Sequence, residues 1–151
     1  MRRVGGFTLV ELLVALAIMA IVSAVAVPIY TQYSIRTQRT NAEKDLMMCA
    51  QSMERLASRN FTYAGQVDTD ADGAGDADTG AVSANICSPS TTMYAITVQA
   101  ANANAFTLRA VPTSGPVVGD GMLEIDASGA QRWDRNGDGD FGDTDETSWA
   151  H

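Results

Sequence analysis

From Phe7 to Val27 the chain is apolar apart from Thr8, Glu11 and Ser23. At about 1.5 Å rise per residue, a helix over this run spans roughly 30 Å, the thickness of the hydrocarbon layer of a bilayer. A helix apolar on every side has no solvent face, so it belongs in lipid or inside a bundle. Arg2 and Arg3 precede it, which predicts a cytoplasmic N-terminus and an exported remainder. In a secretory signal the small residues for cleavage follow the apolar region. Here Gly5 and Gly6 come before it, so cleavage there removes the basic leader and leaves the helix on the mature chain. Glu11 is the lone carboxylate in the run, and an unpaired carboxylate is costly in protein or in lipid.

The helical pattern continues beyond Val27. Pro28 predicts a kink or a loosened turn, because proline lacks the amide donor. Ala42, Leu46, Cys49, Met53 and Leu56 then recur at spacings of four and three, the stripe of an amphipathic helix covering a core. One long helix from about Phe7 to about Ser58 is therefore expected. Residues 64–92, rich in Gly, Asp, Ala and Ser, read as a long connection. Strand signals follow: Tyr94, Ile96 and Val98 alternate in one run, Phe106, Leu108 and Ala110 in the next, with a short ANAN turn between them. After a Pro/Gly loop at 112–121, Leu123 and Ile125 mark a third strand, DASG a turn, and AQRW a fourth. The fold class is α+β: a long helix whose second, amphipathic half packs on a small antiparallel β-meander.

Charge narrows the function classes. The formal net charge is −8, unevenly spread. Residues 64–151 carry Arg109, Arg132 and Arg135 as their only basic side chains against fourteen acidic ones. Such a half is poorly suited to phosphate backbones, so there is no strong nucleic-acid signal. Residues 28–63 are mildly basic, and Arg36, Arg39, Arg55 and Arg59 are expected along the helix, facing neighbouring subunits or lipid headgroups. Catalysis finds little support. The single histidine is His151, neither cysteine has a partner base in sequence, and no phosphate-cradling glycine loop follows a strand.

The stretch GGFTLVELLVALAIMAIVSAVAVPIY, with its short basic leader, Gly6 before Phe7, Glu11, the apolar helix and Pro28, resembles the N-terminus of type IV pilins and related pseudopilins. The segments MERLASRNFTYAG, YAITVQA, FTLRAVP and GDGMLEIDASGAQRWDRNGDGDFGD resemble PilE-like minor pilins. The resemblance implies three parts: a cleaved leader over 1–6, a transmembrane and filament-core helix over 7–28, and a periplasmic or extracellular globular domain over 29–151. It implies that prepilin peptidase cuts between Gly6 and Phe7 and methylates the new amino group. It further implies a subunit that waits in the bacterial inner membrane and then joins other pilin subunits in a helical, extracellular filament. There Glu11 neutralises the N-terminus of a neighbour, while Thr8, Leu9 and Val10 are plain helix surface. A structural minor pilin that assembles into or primes a type IV pilus is the leading expectation. The alternative is a pseudopilin of type II secretion or DNA uptake.

Cys49 and Cys87 stand in a chain expected outside the cytoplasm, where a disulfide is favoured over two free thiols. Many pilins instead close a C-terminal loop with their cysteines. The segment DRNGDGDFGDTDE matches the start of a calcium loop, with Asp134, Asn136, Asp138 and Gly139 at its first positions. Asp134, Asn136, Asp138, Asp140 and Asp145 are the expected calcium ligands. Asp145 stands at the twelfth position, where a glutamate is usual, and Glu146 comes one residue late. A poorer version runs through Asp68, Asp70, Asp72, Gly73, Asp76 and Asp78. For both, the alternative is a solvated acidic turn.

Overall fold

The computed structural model of the protein describes residues 6–150. Arg2, Arg3 and Gly5 of the basic leader lie outside the described residues. Helix α1 spans Leu9–Asn60 without a break and has Pro28 inside it. By contacts the chain divides into two units, Met1–Ser34 and Ile35–His151.

In the first unit the side chains from Phe7 to Tyr30 are exposed, among them Leu9, Leu16, Ile18, Ile21 and Val25. The helix is long and apolar enough to cross a membrane, and its most apolar window has no buried residue. Its start is chemically defined. Thr8 Oγ1 accepts from the Glu11 amide at 3.3 Å, and Glu11 Oε2 accepts from the Thr8 amide at 2.9 Å. This reciprocal capping box satisfies donors that a helix N-terminus leaves orphaned. Thr8 is therefore not plain helix surface. The T-x-x-E spacing carried that signal in the sequence.

In the second unit Ala42, Leu46, Cys49 and Met53 are buried and Leu56 is partly buried, as the stripe predicts. The helix ends where Phe61 takes a left-handed conformation and donates its amide to Ala57 O at 2.7 Å. Two charged residues of the helix, Arg39 and Asp45, are buried along with the stripe. Asp45 receives the amides of Ser90 (2.9 Å) and Thr91 (2.8 Å), which fixes the chain entering the sheet.

The sheet has five antiparallel strands in sequence order: β1 (Gly80–Ala81), β2 (Tyr94–Ala101), β3 (Phe106–Pro112), β4 (Leu123–Asp126) and β5 (Gln131–Trp133). The four strands expected from alternation are present, and Tyr94, Ile96, Val98, Phe106, Leu108, Ala110 and Leu123 join the helix stripe in one core. The connection 64–92 is more structured than its composition implies. It contributes β1, an isolated bridge between Val67 and Ala77, and the buried side chains Val67 and Ile86. Strand β1 is two residues long, too short for any alternation to register. Cys87 leaves this connection to bond Cys49 on the helix.

Gly121, just before β4, shows how tightly β5 is seated. A Cβ there would lie 1.6 Å from the Asp134 carbonyl oxygen, and its φ is +82°. Only glycine permits this backbone approach, which lets the Asp134 amide donate to Met122 O at 2.9 Å.

Candidate functional sites: the capped N-terminus and the acidic loop after β5

The expected processing residues lie at the start of the described chain. Gly6 has open space where a Cβ would stand, and Phe7 is 88% exposed. Glu11 follows one turn later, with the Thr8 hydroxyl also donating to its Oε2 at 2.8 Å. This arrangement gives Glu11 a local role in addition to the intersubunit one expected of it. The carboxylate is held on the helix that carries it.

The second candidate site follows β5. Asp134 is buried, and its two oxygens accept three backbone amides: Gly137 at 2.7 Å, Asp138 at 3.1 Å and Gly139 at 3.1 Å. These bonds wrap residues 134–139 around one carboxylate. One carboxylate oxygen from each of Asp134, Asp138 and Glu146 lies within 4.8 Å of the other two. Glu146 is buried, its Oε2 accepts the Asp143 amide at 3.2 Å, and its Oε1 is buried without a hydrogen-bond partner.

The structure brings together only part of the expected ligand set. Asp145 does not join the cluster. Its side chain is 61% exposed and faces Arg135 at 3.7 Å. Glu146, the thirteenth residue counted from Asp134, lies in the cluster instead. Asp140 turns its Oδ1 to the Gly142 amide at 2.7 Å. Asn136 bridges outward, donating to Asp138 Oδ2 at 2.9 Å and Asp143 Oδ2 at 2.8 Å, while its Oδ1 accepts the Asp138 amide at 2.9 Å.

The loop is also anchored downstream. Trp133 donates its amide to Glu146 O at 3.1 Å, and the buried Trp149 donates Nε1 to Arg132 O at 2.9 Å. Arg135 donates to Ala150 O at 2.7 Å, and the Phe141 ring lies 5.2 Å from the Arg109 guanidinium. On the sheet beneath, Arg109, Glu124 and Arg132 are paired across β3, β4 and β5, and both arginines donate to the Glu124 carboxylate at 2.7 Å. The poorer acidic segment brings Asp68, Asp70 and Asp72 together as well, but Asp70 and Asp72 are exposed and Asp68 is only half-buried.

Residues 1–27 match the prokaryotic N-terminal methylation motif. Residues 28–121, more than half of the chain, match the family described as type IV minor pilin ComP, DNA uptake sequence receptor. The chain belongs to the type IV minor pilin family. It is also similar to two fimbrial proteins of Pseudomonas aeruginosa, each 44% identical over 46 residues, which is 30% of this chain and 30% of each relative. The match therefore spans under a third of those curated relatives. No solved structure matches the chain. The family is structural rather than enzymatic. The family match ends at Gly121, so β4, β5 and the acidic loop lie beyond it.

Several cations of this minor pilin are engaged in ion pairs. Arg39 is buried against Asp120, and Arg109 and Arg132 are held by Glu124 and Asp126. The expectation that Arg39 faces neighbours or headgroups is thus overturned: no solvent-facing position remains for it once the helix packs on the loop before β4. Arg36, Lys44, Arg55 and Arg59 remain exposed on the helix.

Proposed function

We propose that this minor pilin is a structural subunit of a type IV pilus. It is cleaved between Gly6 and Phe7 by prepilin peptidase, methylated at Phe7, held in the bacterial inner membrane by its helix, and then incorporated into, or used to prime, an extracellular filament of pilin subunits. The observation that carries this reading is an apolar helix surface that is exposed among the described residues, bearing one carboxylate at its first turn. Lipid and the helices of other subunits are the two environments that match such a surface. A carboxylate and an ammonium in low dielectric are each costly alone and attract strongly when paired. Pairing Glu11 with the new N-terminus of a neighbour would therefore set the register of helices that otherwise slide past one another.

The test has two parts. Intact-mass spectrometry of the membrane fraction should give a chain beginning at N-methyl-Phe7. Glu11→Ala should reach the membrane at normal level yet be lost from sheared filaments. Incorporation of Glu11→Ala at the wild-type level would end the pairing role.

The DNA uptake reading rests on the description of the family matched by residues 28–121. Its physical support in this chain is limited to Arg36, Lys44, Arg55 and Arg59 on the helix. A phosphate-tracking surface of so few charges gives weak binding with a shallow salt dependence. Gel-shift titration at two salt concentrations distinguishes a sequence-selective receptor from this weaker behaviour.

A further inference from the structure

We propose that the loop after β5 is a calcium site whose decisive ligand is Glu146, with Asp134 and Asp138 completing its carboxylate set. Three oxygens within 4.8 Å of one another fit around one ion, since calcium binds oxygen at about 2.3 to 2.6 Å. Among the described residues no lysine or arginine pairs with any of the three. Glu146 is 1% exposed and its Oε1 has no partner. A buried carboxylate oxygen without a donor costs free energy, and a cation at the cluster removes that cost. The donors are all oxygen, which selects a hard cation. The irregular loop favours calcium, which tolerates varied geometry, over magnesium, which demands a near-ideal octahedron. The remaining ligands come from loop carbonyls and water.

The site sits at a junction of the fold. Trp133 immediately precedes Asp134, and its amide is bonded to the Glu146 carbonyl. Phe141, between the ligands, covers the outer face of the sheet at Arg109. Calcium therefore ties the C-terminal segment onto β5 and holds the cover over the sheet. The other acidic segment also holds one buried oxygen without a partner, Asp68 Oδ1, but Asp68 is only half-buried as a residue and its neighbours Asp70 and Asp72 are exposed.

The test uses the full chain in detergent, with thermal unfolding read in chelator and then in about 5 mM calcium, above the roughly 10⁻⁴ to 10⁻³ M affinity of extracellular sites. Terbium luminescence sensitised by Trp133 gives a second readout. The wild type should unfold at a higher temperature in calcium. Glu146→Gln should weaken binding at least about tenfold, the least that even an outer partner of a metal site costs. In chelator the same variant should be as stable as the wild type or more so, because it removes a buried charge. Asp138→Asn, at an exposed position, should also abolish the shift. Asp145→Asn should preserve it. No calcium shift in the wild type, or a shift retained in both Glu146→Gln and Asp138→Asn, overturns the proposal.

Discussion

Arg39 on the helix and Asp120 in the loop before β4 form an ion pair in which both side chains are 8% exposed. Arg39 Nε donates to Asp120 Oδ2 at 2.7 Å, and the Tyr94 hydroxyl donates to the same oxygen at 2.7 Å. The guanidinium stacks 3.8 Å above the Trp133 ring, whose Nε1 returns to Asp120 O at 2.8 Å. Burial, and then the Asp120 carboxylate, hold the Tyr94 hydroxyl protonated far above its ordinary range. Helix, β2, β5 and the intervening loop thus meet at one charged pair.

Removing one partner leaves the other buried without its main counter-charge. Asp120→Ala should cost about 3 to 5 kcal/mol of unfolding free energy. Pairing it with Arg39→Met should recover much of that loss, because the second change removes the stranded charge. Denaturant unfolding of the single and double variants gives the coupling directly. Simple additivity of the two costs would show that the pair does not act as a unit.

Thr8 separates two roles of Glu11. Thr8→Val keeps the shape at the first turn but removes the hydroxyl, at a cost of about 1 kcal/mol in helix capping. If Glu11 serves assembly, Thr8→Val should enter sheared filaments nearly as well as the wild type while Glu11→Ala does not. Equal loss in both variants would mean that the carboxylate matters for its own helix alone.

What could be read in advance was set by periodicity and by local spacing. The helix stripe from Ala42 to Leu56 and the alternation in β2 and β3 repeat over enough residues to stand out, and both faces meet in the observed core. The T-x-x-E cap was legible in principle, since it spans only four residues. The Arg39–Asp120 pair was not, because its partners are 81 residues apart and nothing local marks either as buried. Glu146 lay in between. A twelve-residue template points to Asp145, whereas Glu146, one residue later, lies in the cluster. Strand β1 was invisible because two residues carry no pattern.

Asp126 should shape the acid limb of the stability curve. Partial burial raises its pKa, but the Ser128 hydroxyl and amide, the Ala130 amide and Arg132 outweigh this and hold its carboxyl below the usual carboxylate range. The folded-state value is thus depressed relative to an unfolded value of about 3.9. Its contribution is present above that unfolded value and is lost as pH falls through the folded one. Glu43 acts in the opposite sense. Burial raises its pKa despite Arg39, so its contribution is complete at low pH and is lost as pH rises through its folded value. Asp126→Asn keeps Oδ1 as the acceptor of the turn and removes the charge together with the Oδ2 acceptor of Arg132, so the difference between variant and wild type isolates Asp126 while Glu43 is common to both. At neutral pH the variant should be less stable by no more than about 1 kcal/mol, since solvent screens the Arg132 pair. That gap should close as pH falls below about 4. Unfolding free energies measured across this range decide it. A gap that stays constant into strong acid would mean that the charge on Asp126 contributes nothing to the fold.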